Sequence, residues 1–378
     1  MRTKLSLDIQ NINIANQNGI ETFVASILRP EVLSLSAYHV QDSTGLIKLD
    51  AMENPYPWPE AMIAEWLKDL PNAKINRYPD PSSDRLKAVL RTSNNIPETA
   101  NLMLGNGSDE LIQIILMGVA GDDAVVLSPE PTFVMYRQIA TSLGLKFVGV
   151  KLNEDDFSLD MATLSATIAK NNPKVIFLAY PNNPTGNAFS GEDMLEILLI
   201  APGLVVVDEA YAPFADASFM SKLLEFPNLL VMRTLSKLGL AGLRLGYLAG
   251  HPAWISQLDK LRLPYNINVL TQQTVEFALA NQSVFDGQIK QIKSDRELLA
   301  ARLAHLPVKV FPSQANFVSF RLLEKEANEV FGKLKNKGVL IKNLTAAGGP
   351  LLNCLRVTIG TSHENQLFID ALAEILES

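Results

Sequence analysis

From about residue 100 onward, short apolar runs alternate with helical segments, and this alternation constrains the fold more than any other feature. The runs are four to six residues long and cover residues 123–127, 175–180, 204–207 and 229–232. Strands that are apolar throughout are typical of a parallel sheet covered by helices on both faces. The predicted fold class is therefore α/β, with ligands bound beyond the carboxyl ends of the strands.

The sequence pattern changes after about residue 275. Long amphipathic helices are predicted there over residues 274–300, 324–336 and 363–376. Shorter strands lie between them, which favours a second, smaller α+β domain. The predicted units are an N-terminal arm with the start of the small domain (1–55), a large domain (56–275) and a C-terminal small domain (276–378).

Charge and composition exclude several classes of protein. Lys and Arg number 33 against 40 Asp and Glu, and this net charge of −7 argues against a nucleic-acid partner. The single cysteine, Cys354, excludes an internal disulfide and a cysteine-built zinc site, and the four histidines lack ligand spacing. No apolar stretch reaches the roughly 18–20 residues needed to span a bilayer. We therefore predict a cytoplasmic protein with no membrane partner and no metal site.

The segment Arg233-Thr-Leu-Ser-Lys237 follows an apolar strand and places a lysine at a buried strand end. Burial lowers the pKa of a lysine and makes its amine a candidate nucleophile for Schiff-base formation. An isolated lysine of this kind is more often a surface residue at the start of a loop. Its neighbours Thr234, Ser236 and Arg244 add hydroxyls and a guanidinium, which together suit a phosphate.

Four further motifs accompany that segment. Gly105-Asn-Gly-Ser-Asp109 is a glycine-rich turn that opens a helix, whose free amides suit an anion. Asp208 ends an all-apolar strand, where a carboxylate requires a cation; a metal is one candidate and a protonated ring nitrogen is the better one. Tyr180-Pro-Asn-Asn-Pro-Thr-Gly186 and Pro131-Thr-Phe-Val-Met-Tyr136 add an amide and an aromatic ring. Alone, each motif is more often a turn or core packing; together they describe a site for pyridoxal phosphate.

In this order, the motifs resemble the aspartate-aminotransferase superfamily of fold type I, and within it the histidinol-phosphate aminotransferase family. The resemblance runs from about residue 28 to residue 373. It implies a fold type I transferase with a large, mostly parallel sheet, a smaller α+β domain and pyridoxal 5'-phosphate as cofactor. It also implies transamination between L-histidinol phosphate and 2-oxoglutarate, giving imidazole-acetol phosphate and L-glutamate in histidine biosynthesis.

The resemblance also implies a role for each matching residue. Lys237 would bind the cofactor covalently and move a proton. Asp208 would pair with the ring nitrogen of the cofactor, and Tyr211 and Asn183 would contact the ring oxygen. Phe133 would stack on the ring. The phosphate would be held by Gly107, Ser108, Thr234, Ser236 and Arg244.

The substrate residues implied by the family are Tyr38 in the arm, Lys342 and Arg356. Many family members carry an arginine where this chain has Lys342, and lysine binds phosphate without bidentate geometry.

Tyr78 matches a residue that reaches the cofactor phosphate of the neighbouring subunit, which implies a homodimer with shared active sites. An aromatic aminotransferase and a threonine-phosphate decarboxylase of the same fold remain alternatives, because they share the cofactor residues. A cofactor-sensing regulator would need a basic helix-turn-helix, which is not apparent.

Overall fold

A computed structural model describes residues 17–37 and 40–377. In the N-terminal half its helices are α1 Gln17–Ile27, α2 Pro30–Leu33, α3 Glu60–Asp69, α4 Asp84–Ser93, α5 Gly107–Val119, α6 Met135–Ser142, α7 Met161–Asn171 and α8 Gly191–Ile200. The later helices are α9 Pro252–Leu258, α10 Val269–Ala280, α11 Gln282–Leu303, α12 Ala327–Asn336 and α13 Ser362–Glu377. None of the helices in the described part of the chain combines the length and apolar composition needed to cross a membrane.

The central sheet has seven strands. They are β2 Asn101–Asn106, β3 Val125–Glu130, β4 Lys146–Lys151, β5 Val175–Ala179, β6 Leu204–Asp208, β7 Leu229–Thr234 and β8 Leu245–Gly250. Their order is β2-β8-β7-β6-β5-β3-β4, and β8 runs in the direction opposite to the other six strands. The predicted α/β fold with a mostly parallel sheet is confirmed.

Alternate residues of the buried strands point into two separate cores, as the period of two in a strand requires. In β5, Val175 and Phe177 pack into one core, while Ile176 and Leu178 pack into the other. Helices cover both faces, so the strands are apolar throughout.

A second group of strands follows the central sheet in sequence. Its members are β9 Val308–Val310, β10 Phe317–Leu322, β12 Lys342–Asn343 and β13 Cys354–Thr358, in the order β12-β13-β10-β9. The short strands β1 Ile47–Lys48 and β11 Val339–Leu340 pair separately. Leu49 packs into the same core as these C-terminal elements, whereas α11 contributes Phe285 to one core and Ile292 to another. The bounds of the three predicted units stay predictions.

The single helix predicted over residues 274–300 is wrong. Two helices, α10 and α11, meet at Asn281, whose backbone N–H donates to the Ala278 carbonyl at 3.0 Å and whose side-chain amide donates to the Phe277 carbonyl at 2.9 Å. The Asn281 side chain thus satisfies a carbonyl at the end of α10, and the chain turns there. The helix predicted to begin at residue 324 begins at Ala327, where the Asn353 side chain accepts the first backbone N–H at 2.6 Å.

Candidate active site

The carboxyl ends of β5, β6 and β7 meet at one edge of the sheet, since Ala179, Asp208 and Met232 are aligned in register. A cavity of about 250 Å³ lies at this edge, and we call it the cofactor cavity. Nine of the residues predicted from sequence line it: Ser108, Phe133, Asn183, Asp208, Tyr211, Thr234, Ser236, Lys237 and Arg244. The fold thus brings together residues that are up to 136 positions apart in the chain.

Asp208 is the last residue of β6, and its side chain is buried. One carboxylate oxygen accepts a hydrogen bond from the Tyr136 hydroxyl at 2.6 Å, and the other accepts from the Ala210 N–H at 3.1 Å. Burial raises the pKa of Asp208 to about 6, although both hydrogen bonds act to lower it. The adjacent Glu209 points elsewhere and pairs with Arg233 at 2.7 Å, so of these two neighbouring carboxylates it is Asp208 that lines the cofactor cavity.

Lys237 lies in a short 3-10 turn, Ser236–Leu238, directly after β7. Its Nζ atom donates to the Ala51 carbonyl at 3.3 Å and lies 5.9 Å from the centre of the Tyr211 ring. Burial, and next the charge of Arg356, lower the pKa of the amine to about 8. The turn ends at Gly239 with a φ of +118°, and a Cβ there would lie 2.9 Å from Asn54.

Opposite the lysine, hydroxyl, amide and guanidinium donors surround one corner of the cofactor cavity. The Thr234 and Ser236 hydroxyls lie 2.9 Å apart. Because β2 pairs with β8, Gly107 comes next to Arg244, and a Cβ on Gly107 would lie 2.6 Å from the guanidinium. The N-terminus of α5 begins at Gly107 and adds free backbone N–H groups. Such a set of donors suits a phosphate.

A second cavity of about 810 Å³ adjoins the first, and we call it the outer cavity. Both cavities are lined by Met52, Phe133 and Asn183. Lys342 and Arg356 line only the outer cavity, where they are direct partners across the β12–β13 pair.

The Arg356 guanidinium connects the two parts of the site. It donates to the Asn183 side-chain oxygen at 2.5 Å and to the Asp50 carbonyl at 3.0 Å. These bonds hold Asn183, on the loop after β5, against the strand that carries Arg356. The Asn183 amide group therefore has a fixed orientation at the boundary of the two cavities.

The described chain does not bring Tyr78 to this site. The side chain of Tyr78 is 80% exposed and stacks on Tyr265 with ring centres 4.5 Å apart, and it lines neither cavity. Tyr38 lies outside the described residues. The predicted site roles of all these residues stay predictions.

Sequence reasoning missed three contributors. Tyr136 was seen only as part of an aromatic motif, yet it bonds to Asp208. Asn54 donates to the Leu238 carbonyl at 3.0 Å and supports the lysine turn, and Ala51 accepts from Lys237. Only Tyr136 carried a usable signal, since it follows Phe133 by three residues, about one helical turn.

Comparison with known proteins agrees with this arrangement. The family model "Aminotransferase class I and II" matches residues 44–372. A protein named histidinol-phosphate aminotransferase 2 from Nitrosococcus oceani is 54% identical over 92% of this chain and 97% of its own. A second protein of the same name, from Cupriavidus pinatubonensis, is 49% identical over 94% of this chain and 98% of its own.

Solved structures share the fold. Histidinol-phosphate aminotransferase from Sinorhizobium meliloti, in complex with pyridoxal-5'-phosphate, gives a TM-score of 0.82 at 24% identity over 93% of this chain and 98% of its own. L-threonine-O-3-phosphate decarboxylase from Porphyromonas gingivalis gives a TM-score of 0.73 at 23% identity, over 87% of this chain and 99% of its own. The fold alone therefore does not distinguish these two reactions.

Proposed function

This chain belongs to the aminotransferase class I and II family, and within it to the histidinol-phosphate aminotransferases; we propose that it binds pyridoxal 5'-phosphate and transfers the amino group between L-histidinol phosphate and the glutamate/2-oxoglutarate pair. The observation that carries this proposal is the joint presence, in one cavity, of a partly buried lysine, a buried carboxylate and a set of phosphate donors. The relatives at 45–54% identity support the substrate.

The residues of the cofactor cavity fit this cofactor. Gly107 has a φ of +79° and a Cβ there would lie 2.6 Å from the Arg244 guanidinium, so the Gly107 backbone and this guanidinium lie close enough together to suit one phosphate. Among the described residues, the buried carboxylate of Asp208 has no cationic partner, which suits a protonated ring nitrogen. When bound, pyridoxal phosphate supplies an aldehyde for amino groups and a ring that accepts the electron pair left on the donor carbon.

The chain's own residues would then act as follows. Lys237 has a lowered pKa of about 8, so a usable fraction of the amine is neutral and able to attack a carbonyl or accept a proton. In this role the Lys237 amine would accept and pass on the proton from the α-carbon of the amino donor. Asp208 would keep the ring nitrogen protonated, and Phe133 would cover one face of the ring.

Substrate selection would occur in the outer cavity. Arg356 would hold the carboxylate of glutamate or 2-oxoglutarate, and it is prepositioned by Asn183 and the Asp50 carbonyl. Lys342, its neighbour across the strand pair, would add a charge for the phosphate of histidinol phosphate. Tyr38 would contact the substrate from the arm.

The experiment for the substrate is a panel of amino donors with purified enzyme: histidinol phosphate, phenylalanine, tyrosine and threonine phosphate. We expect histidinol phosphate to have the highest kcat/KM. A preference for phenylalanine or tyrosine would indicate an aromatic aminotransferase. Release of carbon dioxide from threonine phosphate would indicate a decarboxylase. Either result would overturn the proposed substrate.

We also propose a cytoplasmic homodimer in which Tyr78 completes the partner's site. Tyr78 lies outside its own cofactor cavity, and the apolar side chains of Ile75 and Leu263 are also exposed, at 76% and 72%. A second copy would cover such a surface.

Subunit mixing tests the shared site. Lys237→Ala and Tyr78→Ala chains are each impaired as homodimers, but a mixed dimer contains one site with both residues intact. Activity should recover to about half of the parent value per mixed dimer. Absence of recovery, with mixed dimers shown to be present, would contradict the shared site.

A further inference from the structure

Tyr136 touches Asp208 but does not line the cofactor cavity. Its hydroxyl donates to one carboxylate oxygen at 2.6 Å, and its side chain is fully buried on α6. Its ring stacks on Phe177 of β5 at 4.7 Å, with the planes 12° apart. The tyrosine is thus held rigidly and has one polar contact to make.

The same ring also meets Phe133, edge to face, at 5.6 Å. Phe133 lines the cofactor cavity, so Tyr136 lies behind two groups that face the cofactor. The Tyr136 ring therefore fixes both the position of Phe133 and, through its hydroxyl, the orientation of the Asp208 carboxylate.

We propose that Tyr136 is a positioning residue: its hydroxyl orients the Asp208 carboxylate and keeps it ionised for the ring nitrogen of the cofactor. This inference rests on the proposed binding of pyridoxal phosphate and deepens it. In the described part of the chain the opposite carboxylate oxygen accepts one hydrogen bond, from the Ala210 N–H, so without Tyr136 one oxygen of a buried carboxylate loses its donor.

The electrostatic surroundings make this hydrogen bond important. Asp208 lies near two other acidic groups, Asp109 on α5 and the adjacent Glu209, and both favour its protonated form. The other groups near it are the hydroxyls of Tyr136 and Tyr211. The charge of Arg356 acts to lower the pKa of Tyr211, and the charge of Glu209 is paired with that of Arg233. The hydrogen bond from Tyr136 therefore counteracts desolvation and two like charges.

The test variant is Tyr136→Phe, which keeps the ring packing and removes only the hydroxyl. Tyr180→Phe is the matched control, because Tyr180 is a buried tyrosine at the end of β5 that packs on Phe219 and lies outside both cavities. Affinity for pyridoxal phosphate is measured by absorbance titration of cofactor-stripped protein between pH 6 and 8.5, with no substrate present. Urea unfolding confirms that each variant is folded.

We expect Tyr136→Phe to weaken cofactor binding about 10-fold or more at pH 6.5, as expected for a lost hydrogen bond to a charged group. This loss of cofactor affinity should become smaller toward pH 8.5. Without the Tyr136 hydroxyl as its hydrogen-bond donor, Asp208 has a higher pKa and is ionised only at higher pH. The effect should disappear in the Asp208→Asn background. Turnover should fall through kcat, with the KM of each substrate within about twofold of the parent value.

Two results would overturn the positioning role: equal binding curves for Tyr136→Phe and Tyr180→Phe, or an undiminished loss in the Asp208→Asn background. Failure of the proposed function is distinguishable. If the parent protein binds the cofactor but rejects histidinol phosphate, the substrate is wrong and the binding comparison still decides the role of Tyr136. If the parent does not bind the cofactor, both proposals are overturned.

Discussion

The cofactor cavity and the outer cavity share three residues but differ in construction. The cofactor cavity has several buried lining groups, among them Asp208 and Tyr211, although the Arg244 side chain is half-exposed, and its key residues come from strand ends and loops of the central sheet. The outer cavity is about three times larger and is lined on one side by the loop after β3 and on the other by β12 and β13. A rigid cavity suits chemistry that all members of the family share, whereas one between two sheets can vary with the substrate.

Loss of Lys237 tests the rigid cavity most severely. We expect Lys237→Ala to lose the visible absorbance of lysine-bound cofactor and nearly all turnover, because Lys237 alone among the described lining residues has an amine side chain. The control is Lys222→Ala, which removes a surface lysine paired with Glu225. Turnover by Lys237→Ala close to the parent rate would mean that the lysine is misassigned.

Asp208→Asn should slow the transfer of the α-carbon proton by about 100- to 1,000-fold, the usual cost of removing one preorganised electrostatic partner. Single-turnover mixing with glutamate, followed by absorbance, measures this step. A near-normal rate would show that the ring nitrogen has a different partner.

The same substitution should stabilise the cofactor-stripped protein. The pKa of Asp208 is raised by burial from 3.8 to about 6, so the folded state binds the proton more tightly than the unfolded state. Stability is therefore lost as the pH rises from about 4 to 6, and this loss is fully present at pH 7.5. Asp208→Asn removes the group that causes this loss of stability. The substitution should therefore raise the free energy of unfolding at pH 7.5 by on the order of 3 kcal/mol.

For the neighbouring carboxylate, Glu209, we expect the opposite change in the free energy of unfolding. Glu209 pairs with Arg233 and accepts from the Ser218 hydroxyl and the Phe219 N–H. Glu209→Gln leaves the mostly buried Arg233 without its counter-charge and should lower the free energy of unfolding by about 3–5 kcal/mol. Urea denaturation of both variants at pH 5 and 7.5 checks this. Equal signs for the two variants would contradict the assignment of one carboxylate to function and the other to stability.

In the outer cavity, Lys342→Ala should reduce kcat/KM for histidinol phosphate by about 10- to 150-fold, the cost of one charged hydrogen bond. Glutamate carries no phosphate, so its kcat/KM should change far less. Lys337→Ala is the control, since it removes a nearby surface lysine that pairs with Glu374. Equal losses for the two substrates would assign Lys342 a structural role.

The sequence predicted the rigid cavity better than the outer one, for a physical reason. Lys237, Asp208 and Arg244 each stand next to an apolar strand, and parallel strand ends must meet at one edge. The contact of Tyr136 with Asp208 depends on how α6 is rotated against the sheet, which no local pattern specifies.

The outer cavity required long-range information. Lys342 and Arg356 face each other through the register of two strands joined by an irregular segment, and a shift of one residue would separate them. The break at Asn281 escaped prediction because the helical pattern continues across it, while the break itself depends on side-chain and backbone bonds at one residue. The strands of the central sheet carried strong local signals, so its class could be predicted.

One measurement examines both cavities together. Purified enzyme is reduced with borohydride, which fixes lysine-bound cofactor, and the labelled peptide is identified by mass spectrometry. The same reduction is repeated after addition of histidinol phosphate or of histidinol at equal concentration. We predict label on Lys237 alone, lost after histidinol phosphate and retained after histidinol. Label on another lysine would contradict the cofactor cavity, and equal loss with both donors would contradict phosphate recognition in the outer cavity.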